Sequence, residues 1–171
     1  MRKFLLLVLT LTICVIGLNA QSASGRYNSR MTRDGTLYFI NPYKLKEKEN
    51  ISSFEYDMTC LTWSDSVTVN FTYVSKSMDL PENLRIESGT VSYPCTDYSP
   101  LYIDIVGKGY EIRITSKFPV REILEVIERA ATPGFVFDQA GIQRSAFYTE
   151  GAWRKDRKKL QDIFTLYKYT K

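Results

Sequence analysis

Acid–base chemistry in this chain falls to carboxylates, because none of its 171 residues is a histidine. Histidine is the commonest general base near neutral pH and the commonest metal ligand. Its absence excludes triads built on imidazole and zinc sites that use it. What remains is a set of acids on or near predicted strands: Glu55, Asp57, Asp104, Glu111 and Asp138. Two carboxylates about 5–9.5 Å apart are the arrangement that hydrolyses a glycosidic bond. The same acids also suit the solvated face of an ordinary sheet, where alternation with core residues would place Glu55, Asp57 and Asp104. The sequence has no glycine-rich phosphate loop, calcium loop or cysteine-rich metal pattern, so no cofactor and no metal is expected.

Binding chemistry is better represented. The chain has twelve tyrosines and two tryptophans. Trp63, Tyr93, Tyr98 and Tyr102 fall in or beside turns, on the strand parity opposite the apolar residues. Exposed rings in such places stack on sugars or anchor a protein partner; the alternative is packing across strands. A second candidate surface is the stretch GAWRKDRKKLQDIF, residues 151–164. On a helical wheel Trp153, Leu160, Ile163, Phe164 and Tyr167 share an arc of about 100°, the width of a core-facing stripe. Arg154, Lys155, Lys158 and Lys159 fall outside it.

Charge is unevenly spread. Residues 151–171 hold seven basic and two acidic side chains, whereas residues 21–150 hold fourteen basic and seventeen acidic. A solvated helix face accounts for this, and a weak contact with an anionic surface is the functional alternative. Nucleic acid is not expected, since no recognised nucleic-acid-binding fold surrounds the basic run. Asp156 falls inside the apolar arc. It is either an edge residue paired with Lys159 or a tyrosine hydroxyl, or a buried acid.

The elements that must position these residues follow a leader. Arg2 and Lys3 precede an apolar run from Phe4 to Leu18, and Ala20 closes it before a polar stretch. This is the pattern of a secretory signal peptide cleaved near Ala20. The run is shorter than the roughly 20 residues of a transmembrane helix, so no transmembrane segment is expected, and the protein reads as secreted or periplasmic. Cys60 and Cys95 survive cleavage. In an exported protein an even pair reads as a disulfide, closing a loop of about 36 residues for roughly 3–4 kcal/mol. Asn50-Ile51-Ser52 and Asn70-Phe71-Thr72 match the N-glycosylation pattern.

Residues 21–33 are polar and aperiodic and read as a flexible lead-in; residues 34–171 read as one domain. A short strand is expected at Thr36–Ile40, then a solvated loop over 44–50. Phe54, Tyr56, Met58 and Cys60 alternate with polar residues, as do Val67, Val69, Phe71 and Tyr73, which predicts a hairpin. A two-residue turn at Ser64-Asp65 would pair Cys60 with Val69, Met58 with Phe71 and Tyr56 with Tyr73. Short strands are expected at 84–87 and 90–93, with a turn region over 94–100. A second hairpin with Lys108-Gly109 as its turn would set Ile105 against Ile112, Ile103 against Ile114 and Asp104 against Arg113. FVFD and SAFYT read as further strands. Helical periodicity marks residues 119–131 and about 150–169.

Strands first and helices last predict an α+β domain: a mostly antiparallel sheet of about six to eight strands with two helices packed on it. The functional expectation is an exported, non-catalytic binding or accessory protein with an unknown protein or glycan partner. A small carboxylate-dependent hydrolase, or a structural subunit of a cell-envelope assembly, stands as the alternative.

Overall fold

A computed structural model of the protein describes residues 25–47 and 53–169. The leader expected over residues 1–20 and the first sequon's Asn50 lie outside the described residues. The fold is α+β, with ten strands and two helices among the described residues. In chain order these are β1 (Tyr27–Thr32), β2 (Gly35–Glu47), β3 (Ser53–Leu61), β4 (Ser66–Ser75), β5 (Glu82–Ser88), β6 (Val91–Pro94), β7 (Asp97–Val106), β8 (Gly109–Pro119), α1 (Val120–Arg129), β9 (Gly134–Gln139), β10 (Ile142–Phe147) and α2 (Glu150–Tyr169).

The strands form two antiparallel sheets. Six run in the order β1-β2-β3-β4-β8-β7 and four in the order β6-β5-β9-β10. The two are joined at one seam, where Ala146 and Phe147 pair with Glu47 and Lys46. Period-2 alternation explains the layering. Along β4 every second residue is buried, from Val67 to Ser75, and β8 repeats the pattern with Ile112, Ile114, Ser116 and Phe118. The smaller sheet folds over this face and meets it ring on ring: Phe54 lies 5.3 Å from Phe135, and Tyr73 lies 5.0 Å from Phe137.

The helices cover the rest. Val120, Ile123, Val126 and Ile127 are the buried stripe of α1. Pro119, with φ −56° and ψ 134°, stands at its N-cap, one residue outside the helix predicted from the sequence. Buried Trp153, Leu160, Ile163, Phe164 and Tyr167 form the stripe of α2, and the Trp153 indole donates to the Ala130 carbonyl at the end of α1 (2.8 Å).

Several expectations are corrected. Residues 27–32, expected in a flexible lead-in, are β1, paired with β2 along its length. Residues 44–47, expected in a loop, continue β2. Asp97–Pro100, expected in a turn, open β7. In both hairpins the register differs by two residues. Cys60 pairs with Val67, Met58 with Val69 and Tyr56 with Phe71, because residues 62–65 form a four-residue loop in which Trp63 adopts φ 78°. Ile103 pairs with Ile112 and Asp104 with Glu111, because the turn is Gly107-Lys108, with Gly107 at φ 61°. A shift of two preserves the faces, so the core is as expected while the cross-strand partners change.

The expected disulfide is absent. Cys60 and Cys95 are free thiols. Cys60 sits in β3 with Tyr38 and Val67 as its cross-strand neighbours, and Cys95 follows β6 in the other sheet. Burial pushes the Cys60 thiol up to about 12 and raises that of Cys95.

Candidate functional site

β7 is the outer strand of the six-stranded sheet, and every one of its residues is exposed. Its pairing with β8 decides where each side chain points. Ile103 and Ile105 lie opposite Ile112 and Tyr110. Ile112 is buried, so Ile103 and Ile105 belong to the core side of the sheet. The smaller sheet and the helices stop short of them, leaving Ile105 81% exposed. Tyr98, opposite buried Ser116, shares that side. β7 is therefore an apolar shelf where the core face continues past its cover.

The other face of the sheet is polar. Arg113 on β8 pairs with Asp57 (2.5 Å) and donates to Thr72 (2.7 Å), and Asn70 donates its amide to Asp57 (2.8 Å). The second sequon's asparagine is thus tied into the sheet. Lys44 pairs with Glu55 (3.5 Å), and Asp138 accepts from Asn83 (2.9 Å) in the smaller sheet. Asp104 and Glu111 are cross-strand partners on this polar face. They are directly opposed in the ladder, but they stand on an open sheet surface rather than in a cleft. Glu111 accepts from the Tyr102 hydroxyl (2.9 Å).

The four candidate aromatics do not form one platform. Tyr98 and Tyr102 lie on opposite faces of β7, separated by a register irregularity at Leu101. Tyr93, on β6, is half-buried, and its phenol bonds Glu125 of α1. Trp63 is 62% exposed in the β3–β4 loop. Tyr98 alone lines a groove of about 570 Å³ between Asn83–Arg85 of β5 and Cys95–Asp97. A second cavity, about 30 Å³ beneath α1 and α2, is lined by Ile123, Ile127 and Trp153 among others and is large enough for about one water molecule.

On α2, Arg154, Lys155, Lys158 and Lys159 are all exposed, as the helical wheel requires. Asp156 is not an edge residue. It is 3% exposed and accepts two hydrogen bonds from the Arg26 guanidinium (2.8 and 3.2 Å) and one from the Tyr148 hydroxyl (2.5 Å). Tyr148 in turn shares a short hydrogen bond with Tyr56, and Arg26 lies over the Tyr43 ring, 5.3 Å from its centroid. Burial, reinforced by the neighbouring carboxylate and phenols, holds both Tyr56 and Tyr148 well above the ordinary phenol range. Burial works against the Arg26 charge, and the Asp156 carboxylate together with the Tyr56 and Tyr148 phenols outweighs it. Sequence reasoning missed Arg26, which stands in an aperiodic polar stretch. The one available signal was Asp156 inside an apolar arc, which demands a buried partner. The cluster is packed inside the protein and functions as a structural lock.

Among the described residues no helix is long and apolar enough to cross a membrane, and no group of three acids or cysteines is placed to hold a metal ion. The fold and its surface define a two-sheet α+β protein with a buried ionic lock and an uncovered apolar edge strand. Compared with known proteins, the chain matches no family model, no curated protein and no solved structure.

Proposed function

We propose that this is an exported, non-catalytic accessory protein that binds a protein partner along the β7 side. The uncovered apolar shelf carries this reading. Contiguous apolar surface rimmed by polar residues is the usual mark of an interaction site, and long open edge strands are ordinarily shielded. A protein partner accounts for the shelf better than a glycan, because the candidate aromatics are dispersed over three places. The leader pattern at Arg2–Ala20 supports export. The exposed basic face of α2 supports an additional weak contact with an anionic surface, which a salt titration on anionic vesicles tests.

The test of the main reading is comparative capture. Protein without residues 1–20, and the same protein carrying Ile105→Asp, are offered extracellular and envelope fractions. A partner retained by the first and lost by the second is the expected result. Equal retention by both removes the β7 side as the binding surface. Turnover of a glycan, abolished by Asp104→Asn or Glu111→Gln, would instead establish the hydrolase reading.

A further inference from the structure

We propose that β7 takes up its partner as an additional strand, and that the incoming segment is extended, with apolar residues alternating with lysine or arginine. This inference rests on the protein-binding reading of β7 and says which segment of the partner binds there.

The backbone supplies the first argument. Val106 and Gly109 close the two-residue Gly107-Lys108 turn. Hydrogen-bonded pairs of an antiparallel ladder alternate with open ones, so Tyr102, Asp104 and Val106 direct their main-chain groups toward β8. Ile103 and Ile105 direct theirs outward, to the side where, among the described residues, no strand follows in the sheet order. Pro100 and the irregularity at Leu101 interrupt the first half of the strand; both are devices that block edge pairing. The pairable stretch is thus Tyr102–Val106.

The side chains supply the second argument. Ile103 and Ile105 face the core side and are exposed, so an added strand would gain cover by placing apolar residues beside them. On the polar face, Asp104 lies directly opposite Glu111. Like charges in that relation are destabilising. Arg113, the nearest cation in the ladder, is committed to Asp57 and Thr72, and among the described residues Asp104 has no ion pair. The position beside Asp104 on the open edge is where an incoming lysine or arginine would meet two carboxylates. Apolar toward the core side and basic toward the acids is the alternation that a strand supplies residue by residue. A second copy of β7 would bring further aspartates to the edge rather than a cation, which disfavours self-pairing.

The test uses protein without residues 1–20 and a blocked seven-residue peptide in which valine alternates with lysine. Saturation with the peptide is expected to slow hydrogen exchange at the amides of Ile103 and Ile105. Asp104→Lys is expected to weaken binding by about tenfold, the scale of one well-placed charge contact. A peptide with glutamate in place of lysine, and one N-methylated at alternate residues, are expected not to bind. Equal binding of either control peptide, or saturation without protection at Ile103 and Ile105, overturns the inference. So does protection of those amides that rises with protein concentration alone, which would assign the edge to a second copy. Failure of the valine–lysine peptide to bind also overturns it, and the broader reading then stands or falls separately on partner capture by wild type against Ile105→Asp.

Discussion

The buried pair between Arg26 and Asp156 makes a sharp energetic prediction. Both side chains are nearly sealed, with Arg26 5% and Asp156 3% exposed. Replacing Asp156 by alanine removes the acceptor of two guanidinium hydrogen bonds and one phenol hydrogen bond. The guanidinium would stay buried, and its Nη1 already has no hydrogen-bond partner. Stranding one member of a buried pair costs about 3–5 kcal/mol, out of the roughly 5–15 kcal/mol that holds a domain folded. For a domain of this size each kcal/mol lowers Tm by about 2–4 °C, so Asp156→Ala is expected to lower Tm by roughly 6–20 °C. Replacing both partners, as Arg26→Met with Asp156→Leu, removes the stranded charge and is expected to recover most of the loss. Urea unfolding followed by tryptophan fluorescence, completed as a double-mutant cycle, measures both quantities. A cost below about 1 kcal/mol for Asp156→Ala is the value of a solvent-exposed pair and would refute the burial argument.

Three further predictions follow from other parts of the molecule. Cys60 and Cys95 are free, and Cys60, with its thiol pushed up to about 12, carries almost no thiolate at pH 8. Iodoacetamide is therefore expected to leave Cys60 untouched in the folded protein and to alkylate both residues after unfolding without reductant; an intact mass 2 Da lower, with no alkylation, contradicts this. At Gly134 an added Cβ would lie 2.4 Å from a Phe147 ring carbon and 2.6 Å from the Ala146 carbonyl oxygen, so Gly134→Ala should cost about 1–3 kcal/mol in chemical denaturation, and unchanged stability would be incompatible with that packing. The phenols of Tyr56 and Tyr148 are raised above the ordinary value of 10.0, so the unfolded chain ionises them first. Their stabilising contribution is complete below pH ~10 and is lost as pH rises above it; absorbance at 295 nm should show these two tyrosines titrating only together with unfolding, and smooth titration in a folded protein would contradict the assignment.

What could be read from the sequence was periodic, and what could not depended on chain positions far apart. The arc of α2 and the parity of β3, β4 and β8 follow from residues two to four apart, and their buried faces are as expected; in α1 the periodicity is as expected, while Val126 joins its buried stripe. Registers did not follow, because a two-residue slip leaves parity intact and each hairpin is centred one position earlier than expected. The 62–65 loop, with Trp63 at positive φ, and the Gly107-Lys108 turn each lie one position earlier than expected. The cysteines misled because an even count says nothing about which cross-strand neighbour each thiol meets; the neighbours of Cys60 are Tyr38 and Val67. Arg26 had no local pattern to betray it, and its partner lies 130 residues away. On β7 the aromatics were visible, but their division between two faces depended on the irregularity at Leu101, which no periodicity encodes.

That separation of 130 residues also constrains the order of events during synthesis. A chain is delivered N-terminus first, so Arg26 emerges among the earliest described residues and must wait for Asp156, in the first half of α2, before its charge is neutralised in place. Until then the Arg26 guanidinium and the Tyr148 hydroxyl lack their common acceptor. Contacts of such long range are made late and slow the approach to the native state. Closure of the buried pair is thereby tied to delivery of α2.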